Sequence, residues 1–338
     1  MWELVTIIAG VVLVVLVFAD ALATTMVVAA GAGPLTRRVA GLLWRAMLRL
    51  HRRDSRSLLL TVTGPMLLVT TVLLWVTGLW AGWVLVFVGA TDVVVDARTG
   101  APAGFWDVVY YTGFTSFTLG TGDYVAATPG WRVVSAIASF TGLFLVTLAI
   151  TYLISVVSAV VARRALAVAI TALGTTADNV VLGGWTGHGF SSSYTQHLVT
   201  LTEKLAAAAQ QHLAYPVLNY FHSRHREPSA PVALARLEDA MLLLTAAVEP
   251  SARPHPAAVE PLRYVLERYI TAAAATSSLP RRTEPPPAPS LRPLMAGGVP
   301  VVPEEQFQDA VAQQSHRRTA LRRLVNGDGW SWPGGQTE

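Results

Sequence analysis

The chain has 338 residues, of which 52% are hydrophobic and only 14% charged, against about 25% charged in a typical soluble domain. Cysteine is absent, which excludes a disulfide framework, a thiolate nucleophile and a thiolate metal site. The net charge of +4 is almost wholly arginine, with Lys204 the only lysine, and no dense basic tract points to nucleic acid.

Three apolar stretches reach the ~20 residues that cross a bilayer. The first covers residues 4–30. Its only early charge is Glu3, so it lacks the positive start of a secretory signal and reads as a retained transmembrane helix within residues 1–35. Asp20 lies inside it. A carboxylate at depth is costly and often functional; near the interface it can instead pair with an arginine such as Arg37, and the structural role is favoured.

Residues 36–57 form a linker rich in arginine: Arg37, Arg38, Arg45, Arg49, Arg52, Arg53 and Arg56. The second apolar stretch, 58–90, exceeds one vertical span and calls for tilt or an interfacial extension. Trp75, Trp80 and Trp83 lie toward its far end, where aromatic side chains favour the interface. Residues 91–104 carry Asp92, Asp96 and only Arg98. By the positive-inside rule the arginine-rich linker is cytoplasmic, the N-terminus is outside, and residues 163–338 are cytoplasmic. The expected location is the cell membrane, crossed several times.

Residues 105–117 are apolar and aromatic but too short to span, so they read as a re-entrant helix, with Asp107 suited to its N-terminus. Residues 118–123 follow, with two glycines, two threonines and a closing carboxylate. Glycine tolerates backbone angles that can turn successive carbonyls toward one axis, and irregular backbone at membrane depth survives only inside protein or along a wet path. The third apolar stretch, 131–162, ends in Arg163-Arg164.

The run Tyr110-Tyr111-Thr112-Gly113-Phe114-Thr115-Ser116-Phe117-Thr118-Leu119-Gly120-Thr121-Gly122-Asp123, followed by Thr128-Pro129 and an apolar helix, resembles the pore loop of tetrameric potassium channels. The family's usual filter is Thr-Val-Gly-Tyr-Gly-Asp, in which carbonyl rings replace the ion's hydration shell. The resemblance covers about residues 58–164. It makes Thr118 the filter threonine, Leu119 the aliphatic residue, Gly120 and Gly122 the two glycines, and Asp123 the closing acid. Thr121 stands where the family has its aromatic wedge. Tyr110 and Tyr111 are then the candidate cuff, and the Thr121 hydroxyl either bonds to a tyrosine hydroxyl or points elsewhere. Phe117 replaces a frequent threonine and would seal the rear of the filter. Phe114 replaces a carboxylate that in some relatives bonds the closing acid, so Asp123 needs water, Trp131 or another donor.

In relatives, a glycine at the spacing of Gly142 is a bending point of the pore-lining helix; a small residue for close packing is the other reading. Thr147, Thr151, Ser155 and Ser158 share one helical face and read as pore lining, or as hydroxyls bonded back to carbonyls one turn earlier. Leu148 and Tyr152 beside them are candidates for a hydrophobic constriction.

After Arg164 the apolar character persists through residue 173. The glycine-rich residues 183–189 follow no strand and read as a flexible connector. Ser193-Tyr194-Thr195-Gln196 has capping-box spacing before a helix reaching Tyr215, with His197, Leu201, Leu205 and Ala208 on one face. Amphipathic helices are expected over 230–248, with Leu234, Leu237, Met241 and Leu244, and over 257–275. Residues 280–303 hold eight prolines and read as an extended linker. A basic helix over 304–325 precedes a tail. His222 and His225 lack carboxylates placed to complete a metal site.

These readings converge on an all-α membrane protein. Its parts are an extra N-terminal transmembrane helix (1–35), the linker (36–57), a potassium-channel-like pore domain (58–164), a helical cytoplasmic domain (165–279), the proline linker (280–303) and a final helix and tail (304–338). The resemblance implies a homotetrameric monovalent cation channel with potassium the expected ion, and with Thr121 in place of the wedge two readings stay open, a potassium-selective filter or a softer, weakly selective one; no other cofactor and no metal besides is expected. The partners are three further copies and the lipid bilayer, with no nucleic acid, and the cytoplasmic helices leave room for an unidentified regulator. No paired acid/base or nucleophile constellation supports an enzyme. The alternative is a non-conducting membrane-anchored sensor or interaction protein on a pore-like scaffold.

Overall fold

The computed structural model describes all residues except 27–31, 54–57, 224–225, 227–228, 277–282 and 334–338. The end of the first expected span, Arg56 and His225 therefore lie outside the described residues. The chain divides into two units, Met1–Arg53 with Pro65–Val156, and Asp54–Gly64 with Val157–Glu338.

In the first unit, α1 (Trp2–Met26) and α3 (Leu58–Val88) are the first two apolar helices. They meet closely where a Cβ on Gly10 would press on the Gly82 carbonyl oxygen at 2.6 Å, the small-residue packing that brings membrane helices together where no hydrophobic drive exists. Between them α2 (Pro34–Arg53) turns much of the arginine-rich linker into a helix.

Two short strands, β1 (Val94–Asp96) and β2 (Tyr124–Ala126), pair antiparallel with Val95 opposite Val125. Three-residue strands leave no readable alternation, which is why an all-helical expectation missed them. They bracket α4 (Phe105–Ser116), whose first residue and length agree with the re-entrant helix read from sequence. The chain then enters α5 (Pro129–Leu173), which runs past the expected end at 162. Arg163 and Arg164 do not stop it, because arginine is a good helix former, and Leu166, Ala167 and Ile170 continue it into a buried core. Helices α1, α3 and α5 are long and apolar enough to cross a membrane.

In the second unit, α6 (Ala177–Leu182) leads through the glycine-rich segment to α7 (Ser192–Ala214). That segment is an ordered turn rather than a loose connector: Trp185 and Phe190 form a bridge and Thr186 N donates to Gly189 O at 2.9 Å. The N-cap of α7 is Ser191, accepting from Tyr194 N at 3.2 Å, not Ser193. Its inward face is Tyr194, Leu198, Leu201, Leu205 and Ala208, while His197 is exposed. The step of three from Leu201 to Leu198 wins over the step of four to His197, because it buries the apolar residue.

Helix α8 (Ala230–Leu242) is buried on every side rather than amphipathic, and it passes into a π turn over Leu243–Ala247. Helix α9 (Pro256–Thr276) packs along α7. The proline-rich residues are not a free linker in their described part. They form α10 (Arg292–Ala296), bury Leu291, Leu294, Val299 and Val302, and bridge Val248 to Val301. The expected last helix is two, α11 (Glu304–Gln313) and α12 (Ser315–Gly327), broken at Gln314.

Candidate functional site

Helix α4 begins where Gly104 N donates to Asp107 Oδ2 at 3.0 Å, so Asp107 satisfies an otherwise orphan amide and complements the dipole. It ends as Phe117 N bonds to Gly113 O and Leu119 N to Phe114 O, each at 2.9 Å. From there the backbone takes left-handed values at alternate residues: Thr118 (φ +61°), Gly120 (φ +61°) and Gly122 (φ +80°). A Cβ at Gly120 or Gly122 would meet nothing within 4 Å, so glycine is needed there for its backbone angles rather than for space. Thr118 adopts the same region without that freedom, a strain of about 1–3 kcal/mol. All six residues, Thr118, Leu119, Gly120, Thr121, Gly122 and Asp123, are exposed in the single chain. Among the described residues no amide or side chain of the chain donates to the carbonyls of Thr118, Leu119, Gly120, Thr121 or Gly122. The exit is pinned instead: Ala97 N donates to Asp123 O at 2.9 Å, beside the β1–β2 pair.

Two aromatic residues on α4 divide the support. Tyr110 turns toward the loop, and its hydroxyl donates to Thr121 Oγ1 at 3.2 Å and Asp123 Oδ2 at 3.3 Å. Asp123 thus finds its donor in Tyr110, not in Trp131, whose ring lies 5.7 Å from Phe87. Tyr111 turns the other way. Its hydroxyl meets Ser135 Oγ on α5, and its ring stands edge-on to Phe87. Phe114 is buried between the two tyrosines, 5.2 Å from Tyr110 and 5.4 Å from Tyr111. Phe117 stands edge-on to Trp80 at 6.3 Å. Sequence reasoning missed the tryptophans as supports: Trp80 Nε1 donates to Val109 O, and Trp83 Nε1 to Thr141 Oγ1. Their interfacial position was legible; their partners, 29 and 58 residues away, were not.

Gly142 lies inside the continuous α5, and a Cβ there would overlap the Ser116 carbonyl oxygen at the end of α4. This close approach by itself calls for a glycine at 142, as the packing reading expects. Thr147 and Thr151 are exposed on α5 and also bond back, to Leu143 O at 2.8 Å and Thr147 O at 2.9 Å; Ser155 is half-buried. Tyr152 is buried, 5.8 Å from Trp75 on α3, which removes it from any constriction on the exposed face.

Asp20 is buried, and among the described residues its partners are amides, a hydroxyl and an indole rather than the expected Arg37. Its carboxylate accepts from Leu35 N at 2.7 Å, from Thr36 N and Thr36 Oγ1, and from Trp75 Nε1 at 3.0 Å. It therefore caps α2 from α1 and ties both to α3. Among the described residues no cluster of His, Asp or Glu could hold a metal ion.

Residues 69–159, from within α3 through α4 and the loop to α5, match the Ion_trans_2 family, described as an ion channel. Over 327 residues the chain is 30% identical to an uncharacterized membrane protein, YdjJ, of Bacillus subtilis (strain 168), covering 97% of this chain and 95% of that one. The chain belongs to the same family as this membrane protein. It carries an ion channel domain, and ion channel families are not enzymatic. The ion channel domain contains α4, the whole left-handed loop and Gly142, so the geometry above falls within the matched region. No solved structure matches the chain.

Proposed function

We propose that this chain forms a homotetrameric channel that passes monovalent cations, potassium foremost, along an axis lined by Thr118, Leu119, Gly120, Thr121 and Gly122. The observation that carries the reading is the alternation of left-handed backbone at Thr118, Gly120 and Gly122 with carbonyls that, among the described residues, no group engages. Alternate signs of φ undo the opposed carbonyls of an ordinary strand, so neighbouring oxygens can face one side. One loop cannot surround an ion; four related by a central axis make the rings that replace water. Strain at Thr118 is what a preorganised site stores.

The aromatic wedge absent at position 121 is replaced by a hydrogen bond. Tyr110 braces Thr121 and Asp123 from α4, holding the loop by its hydroxyls rather than by bulk. Asp123 then forms the acidic ring that gathers cations at the mouth. The C-terminal end of α4 adds its partial negative charge behind the loop. Gly142 keeps α5 against that end, Phe114 and Phe117 pack it, and Thr147, Thr151 and Ser155 line the water beneath. The arginine-rich helix α2 faces the cytoplasm by the positive-inside rule.

Purified protein in liposomes tests this. Light scattering should give four times the 36.2 kDa of one chain, and cation flux should favour potassium over sodium. Thr121→Tyr should change both flux and preference; if neither moves, Thr121 does not belong to the filter. Absence of flux from a well-formed tetramer under all conditions tried would favour the non-conducting scaffold.

A further inference from the structure

Helix α2 carries arginine at 37, 38, 45, 49, 52 and 53 and no aspartate or glutamate. In sequence it joins α1 to α3, two helices of membrane-spanning length. The Asp20 cap fixes how far out it stands. Leu35 N donates to Asp20 Oδ1 at 2.7 Å and Gly33 N to Thr24 Oγ1 at 2.9 Å, and both acceptors lie inside α1. Asp20 comes six residues before Met26, or ~9 Å of helix. The first turn of α2 is therefore level with the end of an apolar span, at headgroup depth, rather than beyond it.

At that depth α2 has two unlike sides. Thr36 and Trp44 are buried. Arg38 and Leu42 sit one turn apart, about 180° round the helix from that pair at 100° per residue. Both are exposed, Leu42 to 60%, and exposed Arg37 flanks them. Among the described residues no carboxylate forms an ion pair with Arg37 or Arg38. An open leucine beside an open guanidinium suits a lipid better than water, because an acyl chain covers the one and a phosphate meets the other.

We propose that this side of α2 seats an anionic phospholipid of the bilayer, its phosphate between Arg37 and Arg38 and an acyl chain on Leu42. Arginine suits the role because its planar fork meets phosphate oxygens in pairs. The lipid holds α2 from outside as Asp20 holds it from within, so it acts on the junction of α1, α2 and α3. The inference needs α1 and α3 to cross the bilayer; it does not need the loop to conduct.

The test reads lipid binding, not flux. The full chain in detergent is titrated with dioleoylphosphatidylglycerol and with dioleoylphosphatidylcholine, and bound lipid is followed by native mass spectrometry. The glycerol lipid should bind about tenfold more tightly or better. Arg37→Gln combined with Arg38→Gln should remove most of that preference and leave choline-lipid binding unchanged. Arg292→Gln, an exposed arginine on α10, should leave both alone. Leu42→Gln should weaken both lipids alike, since it removes the acyl contact. In nanodiscs of the unaltered protein, amides 37–44 should exchange more slowly in the glycerol lipid than in the choline lipid. Equal affinity for the two lipids, a preference untouched by the arginine pair, or displacement of the glycerol lipid by equimolar inorganic phosphate would each overturn the proposal. Loss of the oligomer in the arginine variant, with lipid preference retained, would assign this side of α2 to a second copy instead.

Discussion

Tyr110 bonds to both Thr121 Oγ1 and Asp123 Oδ2, and its ring packs edge-on against Phe114 and Tyr124. Tyr110→Phe keeps those ring contacts and removes only the hydroxyl. With each hydrogen bond contributing ~1 kcal/mol, the potassium-over-sodium preference should fall several-fold while thermal stability barely moves. Reversal potentials in mixed salt decide this, and an unchanged ratio would remove Tyr110 from the brace. Gly142 gives the opposite pattern. Gly142→Ala drives a methyl into the Ser116 carbonyl oxygen, and overpacking of this kind costs ~1–3 kcal/mol. Thermal unfolding of the purified protein should show the loss; a pure hinge would leave the midpoint alone and alter gating. That position 142 is special was legible from its spacing after Asp123. The contact requiring glycine was not, since the two residues involved are far apart in sequence.

At the scale of the element, the link between α1, α2 and α3 rests on one carboxylate. Asp20 accepts from two amides in the first turn of α2, which is the anion site any helix N-terminus offers, and from Trp75 Nε1. Asp20→Asn keeps the volume but places an amide against donors, so it should cost ~2 kcal/mol. Limited proteolysis within α2 should become faster and the unfolding midpoint should drop; equal cleavage in both proteins would contradict the cap. The apolar character of α1 and the basic character of α2 were readable from composition alone. Asp20 could be flagged as unusual, but the nearest cation in sequence was the wrong partner, because a helix terminus carries no charged residue to announce itself. The same holds for α8. Its pattern looked amphipathic because Arg236, Glu238 and Asp239 sit among apolar residues, yet the helix is wholly buried and those charges meet Thr171, Arg317 and Arg318 from distant elements.

At the scale of the whole molecule, acid should act on the second unit through its buried titratable groups. His212 in α7 is buried beside Tyr269, with Nε2 on Asn219 Oδ1 at 2.9 Å. Burial, with Arg163 nearby, pushes its pKa down from 6.5 to about 4. Below pH 6.5 the unfolded chain takes a proton that the folded one refuses, so this group costs stability as the pH falls from 6.5 toward 4 and is neutral above. The full effect is about 3 kcal/mol. Burial raises Asp239 to about 6, which acts in the opposite sense, stabilising the fold as the pH falls through that value. The readout is therefore the difference between wild type and His212→Gln in denaturant melts from pH 7 to 4. The variant should lose less stability on acidification, and parallel curves would contradict the assignment. The sequence by itself determined what depends on local composition: the three long apolar helices, the short helix before the loop, and a glycine-spaced loop that needs left-handed backbone. Only the tertiary structure decided which groups meet: Tyr110 with Thr121 and Asp123, Asp20 with α2 and Trp75, Gly142 with Ser116, and a proline-rich segment that packs instead of linking. Hydrophobic length and glycine spacing are properties of neighbouring residues. A hydrogen bond or close approach between distant residues exists only once packing has brought them together.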